Sequence, residues 1–347
     1  MVSESALRGF LLEEALAKLT ENSGYNLITT EILNNPDLNP EFTLQGNGLN
    51  IKGRGGIHQA DVLGQFPISL PFTYPVRLFL EAKFKKIATG INVVRTGIGI
   101  LQDLNSNYQT IDLQGQDLLS QRYNYQYVIF STSGFSNNAI KLAIAHKIQL
   151  IDLSGVEYDK LRKVISGTAK SLNTFNYSLK DIRQFIRDHL FNLNYINRKF
   201  DRELDRDNLE KILNCYFELI RTFGDLYLAS TNSPFTILLK PTSSYHFKHF
   251  LDKTKNTTFD VKIRWTDNNK YYWHIYSQDH REITFSFALP TLFYEYIFKQ
   301  QTRDQQIINA LDAKKQYFNN IIFYVRDREQ FVNLKYRMPR SERRLTM

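Results

Sequence analysis

Residues 76–84 read Val-Arg-Leu-Phe-Leu-Glu-Ala-Lys-Phe, an alternation that predicts a strand with two opposite charges on one of its faces. Val76, Leu78, Leu80 and Ala82 point one way and Phe79, Glu81 and Lys83 the other, because successive side chains of a strand alternate. A strand this apolar is destined for a core, where a carboxylate and an ammonium group require a reason. Asp61 lies on the preceding strand-like segment, 57–66, and the loop between the two is marked by Pro67, Pro71 and Pro75. A hairpin pairing of these segments brings Asp61 beside Glu81 and Lys83.

These residue types suit phosphodiester hydrolysis. That reaction uses a hard divalent cation held by carboxylate oxygens, with positions left for water and a phosphate oxygen. Asp61 and Glu81 are the candidate ligands, and the backbone carbonyl of Ala82 is a third. Lys83 is placed to orient or help deprotonate the attacking water and to offset charge on the phosphate. A structural ion pair is the competing reading, since a Glu-x-Lys triplet arises by chance about once in a chain of this length. Spacing alone leaves both open.

The surrounding periodicities supply the context. Leu7, Leu11, Leu12, Ala15, Leu16 and Leu19 share one face of a helix over 4–20, stopped by Gly24. A polar, Asn-rich stretch spans 34–50, followed by Gly53-Arg54-Gly55-Gly56. After the two strands, a helix is predicted over 92–104, a buried strand over 125–132, a helix over 137–146 and a strand over 147–153. This order implies an α/β unit with a mixed sheet.

In this order the residues resemble the PD-(D/E)xK nucleases, and within them the Mrr-type restriction endonucleases. The resemblance rests on Asp61 with Glu81-Ala82-Lys83, the opening helix with Glu14 (or Glu13) before Gly24-Tyr25, and the glycine-rich approach GRGGIHQADVLG. It rests also on Gln102 in the helix VVRTGIGILQDL and on the closing segment VIFSTSGFSNNAIKLAIAHKIQLIDLS. It covers roughly residues 4–155, and Ala60 stands before Asp61 where the motif's name has proline. It implies a restriction-endonuclease-like core, a mixed central sheet flanked by helices, with magnesium as cofactor, manganese as substitute and double-stranded DNA as substrate. It makes Glu14 a further ligand or water holder and places Gln102 near the scissile phosphate; plain helix surface explains either residue as well. Lys85-Lys86 is read as a phosphate contact or as solvated charge.

The function implied is a DNA endonuclease of restriction or anti-phage defence. The same core serves DNA-repair and junction-resolving nucleases, and a DNA-binding subunit of a motor–nuclease complex is a reading from another class. No Walker-type phosphate loop occurs, so any ATP dependence falls to a separate ATPase or translocase subunit. Cutting both strands implies a homodimer.

Beyond residue 155 the charge changes. Residues 1–155 hold 12 Lys+Arg and 13 Asp+Glu, whereas 156–347 hold 32 and 22. The basic half suits a polyanion partner, or is a solvated surface. Helices are expected at 178–193, opened by a capping pair Ser178 and Asp181, at 208–223 and within 290–318. Strands are expected at 235–239, 259–265, 271–276, 283–288 and 321–325. The expected organisation is a nuclease domain over 1–155, an α+β DNA-recognition or partner-binding domain over 156–334, and a basic tail over 335–347. Trp265, Tyr271, Tyr272, Trp273 and Tyr276 divide between core and contact surface. His246, His249, His274 and His280 have no accompanying acid or thiol cluster, and His58 is read as structural. Cys215, the single cysteine, excludes a disulfide framework and a multi-thiolate zinc site, and its apolar neighbours predict burial. The most apolar stretch, 285–298, is short, holds Pro290 and Glu295, and is no membrane span. The acidic start lacks a secretory signal pattern, so a cytoplasmic location is expected.

Overall fold

The computed structural model describes residues 2–34, 41–45, 48–69, 71–106, 122–175, 178–191, 203–223, 225–232, 235–266, 268–299 and 302–339. The protein is a mixed α/β molecule that divides into two compact units, residues 1–21 with 25–223 and residues 22–24 with 224–347. Among the described residues no helix is long and apolar enough to cross a membrane.

The first unit opens with α1 (Glu4–Asn22), whose buried face includes Leu7, Leu11, Leu12, Ala15, Leu16 and Leu19. Gly24, at φ 97°, takes the left-handed backbone that ends it. A mixed sheet follows, in the order β1 (Asn26–Leu27), β5 (Val62–Gln65), β6 (Val76–Lys83), β7 (Asn124–Ser131) and β8 (Gln149–Asp152). The β1/β5 and β5/β6 pairs are antiparallel, β6/β7 and β7/β8 parallel. The parallel steps need crossovers, supplied by α2 (Ile91–Asn105) and α3 (Asn137–Ala145). Those helices lay Val94, Leu104, Ala139 and Ala143 onto Leu63, Phe79, Tyr127 and Ile129.

On the opposite face, a Cβ at Gly64 would sit 3.3 Å from Thr20 Cγ2 of α1. With a helix on each face, β6 is buried through Arg77, Leu78, Phe79 and Leu80 rather than on one side only. Arg77 is satisfied there by Glu41 and the Tyr125 hydroxyl, each at 3.0 Å.

A small second sheet precedes the main one: β2 (Phe42–Gln45), β3 (Gly48–Lys52) and β4 (Ile57–Gln59). The Asn-rich stretch is therefore in part β-structure, with Phe42 and Ile51 buried against the main core. The strand expected over 57–66 is two strands in two sheets, broken at Ala60-Asp61.

Three further helices belong to this unit, so the division falls at 223/224 rather than at 155/156. They are α4 (Asp159–Asn173), α5 (Leu179–Phe191) and α6 (Glu203–Phe223). The tie is to α1: Tyr216 of α6 donates to Leu11 O at 2.6 Å, and Arg183 and Arg187 of α5 pair with acidic residues of α1. The capping pair forms as expected, Asp181 N donating to Ser178 Oγ at 3.1 Å. Cys215 is exposed on α6, contrary to its apolar neighbours in sequence, because the helix turns Leu213, Tyr216 and Phe217 inward instead.

The second unit is a closed barrel in the order β10 (Ile237–Pro241), β13 (Thr284–Ala288), β12 (Asn269–Tyr276), β11 (Thr258–Thr266), β15 (Gln330–Tyr336), β14 (Asn320–Val325) and β9 (Tyr227–Ser230). Only β11/β15 is parallel among its pairs. Trp273, Phe285, Phe287 and Phe323 fill the interior, joined by Phe247 of α7 (Ser244–Lys253). The helical sequence of 290–318 is two helices, α8 (Thr291–Phe298) and α9 (Arg303–Gln316), because Thr302 caps a fresh start on Gln305 N. The expected tail from 335 begins later, since β15 runs through Tyr336; residues 340–347 lie outside the described residues.

Candidate active site

Asp61 occupies the bend where the chain leaves the small sheet and enters the main one. Its amide donates to Leu80 O at 3.2 Å, and its Oδ2 accepts from the Ala82 amide at 2.7 Å. The register pairs Val62 with Leu80, and the Asp61 amide reaches that same Leu80 carbonyl, so Asp61 lies beside the Leu80–Ala82 segment that carries Glu81. In a strand the N–H and C=O of one residue point to the same edge. The Ala82 carbonyl is therefore directed to the edge on which Asp61 lies, just past the start of β5.

Glu81 and Lys83 leave β6 on one face and are hydrogen-bonded to each other through Oε1 and Nζ. Tyr127 of β7, stacked on Phe79 with centroids 5.0 Å apart, donates to Glu81 Oε2 at 3.4 Å. Tyr127 has room because α2 crosses it at Gly97, where a Cβ would lie 2.7 Å from the ring.

The electrostatics are those of crowded carboxylates. Burial first, then the negative charges of Glu81 and Glu13, push the Asp61 carboxyl up to about 7, against the pull of the Ala82 amide and Lys83. Burial, then Glu81 and Asp61, also push the Tyr127 hydroxyl up, so it remains a donor.

Of the two helix glutamates, the structure gives Glu14 a different place from the one expected. Glu14 is fully buried and paired with two guanidinium groups, Arg183 at 3.2 Å and Arg187 at 3.0 Å. Glu13 is the residue whose charge reaches Asp61. Two contacts fix its level: Arg8 lies over the Phe84 ring at 5.7 Å, and Thr20 lies against Gly64, the partner of Leu78. The helix rise between those residues, about 18 Å, matches the strand length between Phe84 and Leu78, about 20 Å. Glu13 therefore sits level with Glu81 and Ala82. Arg183 holds its carboxylate at 2.7 Å. Burial raises the Glu13 carboxyl, and Arg183 opposes the rise.

Gln102 is exposed on α2, and among the described residues no hydrogen bond joins it to Asp61. Its neighbour Asp103 accepts from the amides of Gly55 and Gly56 at 2.7 and 3.0 Å and pairs with His58 Nε2 at 2.7 Å. His58 and the glycine-rich turn thus form a structural anchor. Tyr127, Arg183 and Asp103 carry no motif in the sequence. A tyrosine at the parity of Glu81 on the next apolar strand is the one signal for Tyr127.

Among the described residues no group of three or more His, Cys, Asp or Glu side chains is arranged to hold a metal ion. What the site offers is two carboxylates, one main-chain carbonyl and one ammonium group.

No family model matches the chain, and no curated protein matches it. Among solved structures it is similar to the crystal structure of a protein of unknown function, AF1548, at 14% identity and a TM-score of 0.33. The match covers 61% of this chain and 98% of that one.

Proposed function

We propose that this chain is a divalent-metal-dependent endonuclease acting on double-stranded DNA, with Asp61, Glu81 and Lys83 as its catalytic residues. The observation that carries the reading is the placement of Asp61, half-buried at the break between two sheets with its Oδ2 accepting at 2.7 Å from the amide of Ala82, the residue between Glu81 and Lys83. Burial and the charges of Glu81 and Glu13 raise its carboxyl to about 7. A divalent cation relieves such crowding, and the donor set of hard oxygens fits magnesium or manganese better than softer metals. Asp61, Glu81 and the Ala82 carbonyl would hold it. When bound, the cation supplies Lewis-acid polarisation of a phosphate oxygen and an acidified water.

The chain's own residues supply the rest. Lys83, released from Glu81, faces the phosphate and the attacking water as a cation in a partly desolvated site. Tyr127 keeps one Glu81 oxygen oriented, and the Ala82 amide keeps one oxygen of Asp61 oriented, leaving the others for the cation. The alternating strand order, with an antiparallel β5/β6 hairpin followed by parallel β7, supports the restriction-endonuclease-like reading. Restriction or anti-phage defence is the setting proposed, with DNA repair or junction resolution as the alternative.

The test is incubation of the full chain with supercoiled plasmid. Nicking with magnesium or manganese, abolished by EDTA and by Asp61→Ala in folded protein, is the expected result. Undiminished cutting by Asp61→Ala would remove the assignment. A protein that never cuts, and whose Glu81→Ala and Lys83→Ala variants unfold, would make the pair structural.

A further inference from the structure

The barrel carries a polar face that its own packing does not explain. Along β12 the side chains alternate: Trp273 and Ile275 are buried in the barrel, while His274 points outward and is exposed. The register carries this outward parity across three neighbouring pairs. His274 stands opposite Arg264 on β11 and opposite Ser286 on β13, and Ser286 stands opposite Lys240 on β10. Lys240, Ser286, His274 and Arg264 therefore form one row across the strands, with Lys240 and Arg264 about 14 Å apart at the usual strand spacing. Lys262 pairs with Tyr276 one step along, on the same side. Lys240, His274 and Arg264 are exposed.

Two features set this face apart from an ordinary solvated surface. Surfaces normally interleave both charge signs. These four strands contain one acidic residue, Asp260, and it is paired with Arg337 at 2.9 Å. Two of these side chains also come with aromatic partners. The Arg264 guanidinium lies over the Tyr276 ring at 5.0 Å, and the His274 ring packs edge-on to Tyr272 at 5.7 Å. A guanidinium laid on a ring keeps its N–H edge free for two oxygens of a phosphate and loses little freedom on meeting them.

We infer that the outward face of β10-β13-β12-β11 is a docking surface for the phosphate backbone of DNA, with Lys240, Arg264, Lys262 and His274 as its contact residues. The inference deepens the proposed nuclease reading by naming where the chain grips its substrate, and it rests on that reading for the identity of the polyanion. Charge complementarity selects the occupant: a repeating line of phosphates matches Lys240, Lys262 and Arg264, set across a face whose one acid is already paired. Residues 224–347 as a whole hold 19 Lys+Arg against 12 Asp+Glu, so the field around this face is positive as well.

The experiment uses the full chain, in EDTA, with a fluorescent duplex and the same strand unpaired, and follows affinity across a salt series by anisotropy. The triple variant Lys240→Gln/Lys262→Gln/Arg264→Gln should bind at least about tenfold more weakly, and its log–log salt slope should fall by about 2 to 3, since each phosphate contact contributes about 0.9. An equal charge change on α4, Lys160→Gln/Lys163→Gln/Lys170→Gln, should leave the slope in place. An unchanged slope in the barrel variant, equal losses in both variants, or a wild type that binds neither probe would overturn the inference. Plasmid cutting separates this from the nuclease reading. Cutting by wild type together with an unaltered barrel-variant slope defeats the docking surface alone. The expected slope change in a protein that never cuts defeats the nuclease reading and leaves the surface standing.

Discussion

The Ala82 amide donates to Asp61 Oδ2 at 2.7 Å, one residue from each of the other two members of the cluster. This bond fixes the carboxylate of one sheet segment to the strand that carries Glu81 and Lys83. It also stabilises the ionised form of Asp61, yet burial and the neighbouring carboxylates prevail and set the group at about 7.

A pH dependence follows. A folded value near 7, against 3.8 for an ordinary aspartate carboxyl, means that the native state binds the Asp61 proton more tightly than the unfolded chain does. The associated stability is fully present below about pH 4 and is lost as pH rises through 7. In EDTA the protein should therefore lose on the order of 3 kcal/mol from this group between pH 4 and 8. Asp61→Asn should flatten that part of the profile. Urea melts at pH 5 and pH 8 on both proteins check it, and parallel profiles would contradict it.

Lys83 and Glu81 are both partly exposed, and pairs of that kind contribute about 0–1 kcal/mol. Lys83→Ala should accordingly shift stability by no more than about 1 kcal/mol while plasmid cutting falls by several orders of magnitude. Calorimetry and cutting on the same preparation decide; a loss of about 3 kcal/mol or more would point to a structural pair.

Glu14 and Glu13 should behave differently. Glu14→Ala leaves two guanidinium groups facing a buried gap, and breaking a buried pair costs roughly 3–5 kcal/mol. Glu13→Gln should cost less and should lower the pH at which Asp61 titrates, because it removes one of the charges that raise it. A stability–pH profile of Glu13→Gln identical to wild type would mean that Glu13 is plain surface.

Two glycines of α2 make a matched pair. Gly97→Ala sets a methyl 2.7 Å from the Tyr127 ring, whereas Gly99→Ala meets nothing within 4 Å. Helix propensity favours both changes by about 1 kcal/mol, but overpacking at position 97 costs about 1–3 kcal/mol. Gly99→Ala should stabilise and Gly97→Ala should not, with displacement of Tyr127 from Glu81 visible as altered near-ultraviolet dichroism. Equal stabilisation of the two would show that the ring yields freely.

How much of this the sequence disclosed depends on the range of the interaction. The strand bearing Glu81 and Lys83, the helices α1, α2 and α3, and the Ser178 cap are local patterns, and each lies within a few residues of its expected bounds. What a single segment does not encode stayed hidden. The break at Asp61 interrupts a continuous apolar run, because the two halves pair with different sheets. Helix α4 is the exception: Leu161, Ile165, Ala169 and Leu172 repeat at helical spacing, so its signal is local, although the helix is absent from the sequence expectations. Barrel closure depends on strands β9 and β15 too short or too mixed to stand out. In the site, Glu13 and Glu14 are adjacent in sequence, and only the arginines of α5, 170 residues or more away, tell them apart.

Because Asp61 stands at the seam of two sheets, its position is set jointly by Ile57–Gln59 on one side and Val62–Gln65 on the other. The small sheet is in turn tethered through His58 and the glycine turn to Asp103 on α2. The placement of the carboxylate beside Glu81 therefore depends on both sheets and on α2 together. A partly folded or damaged chain holds the same residues without the cluster. For the nuclease proposed here, completed folding itself would be the safety catch.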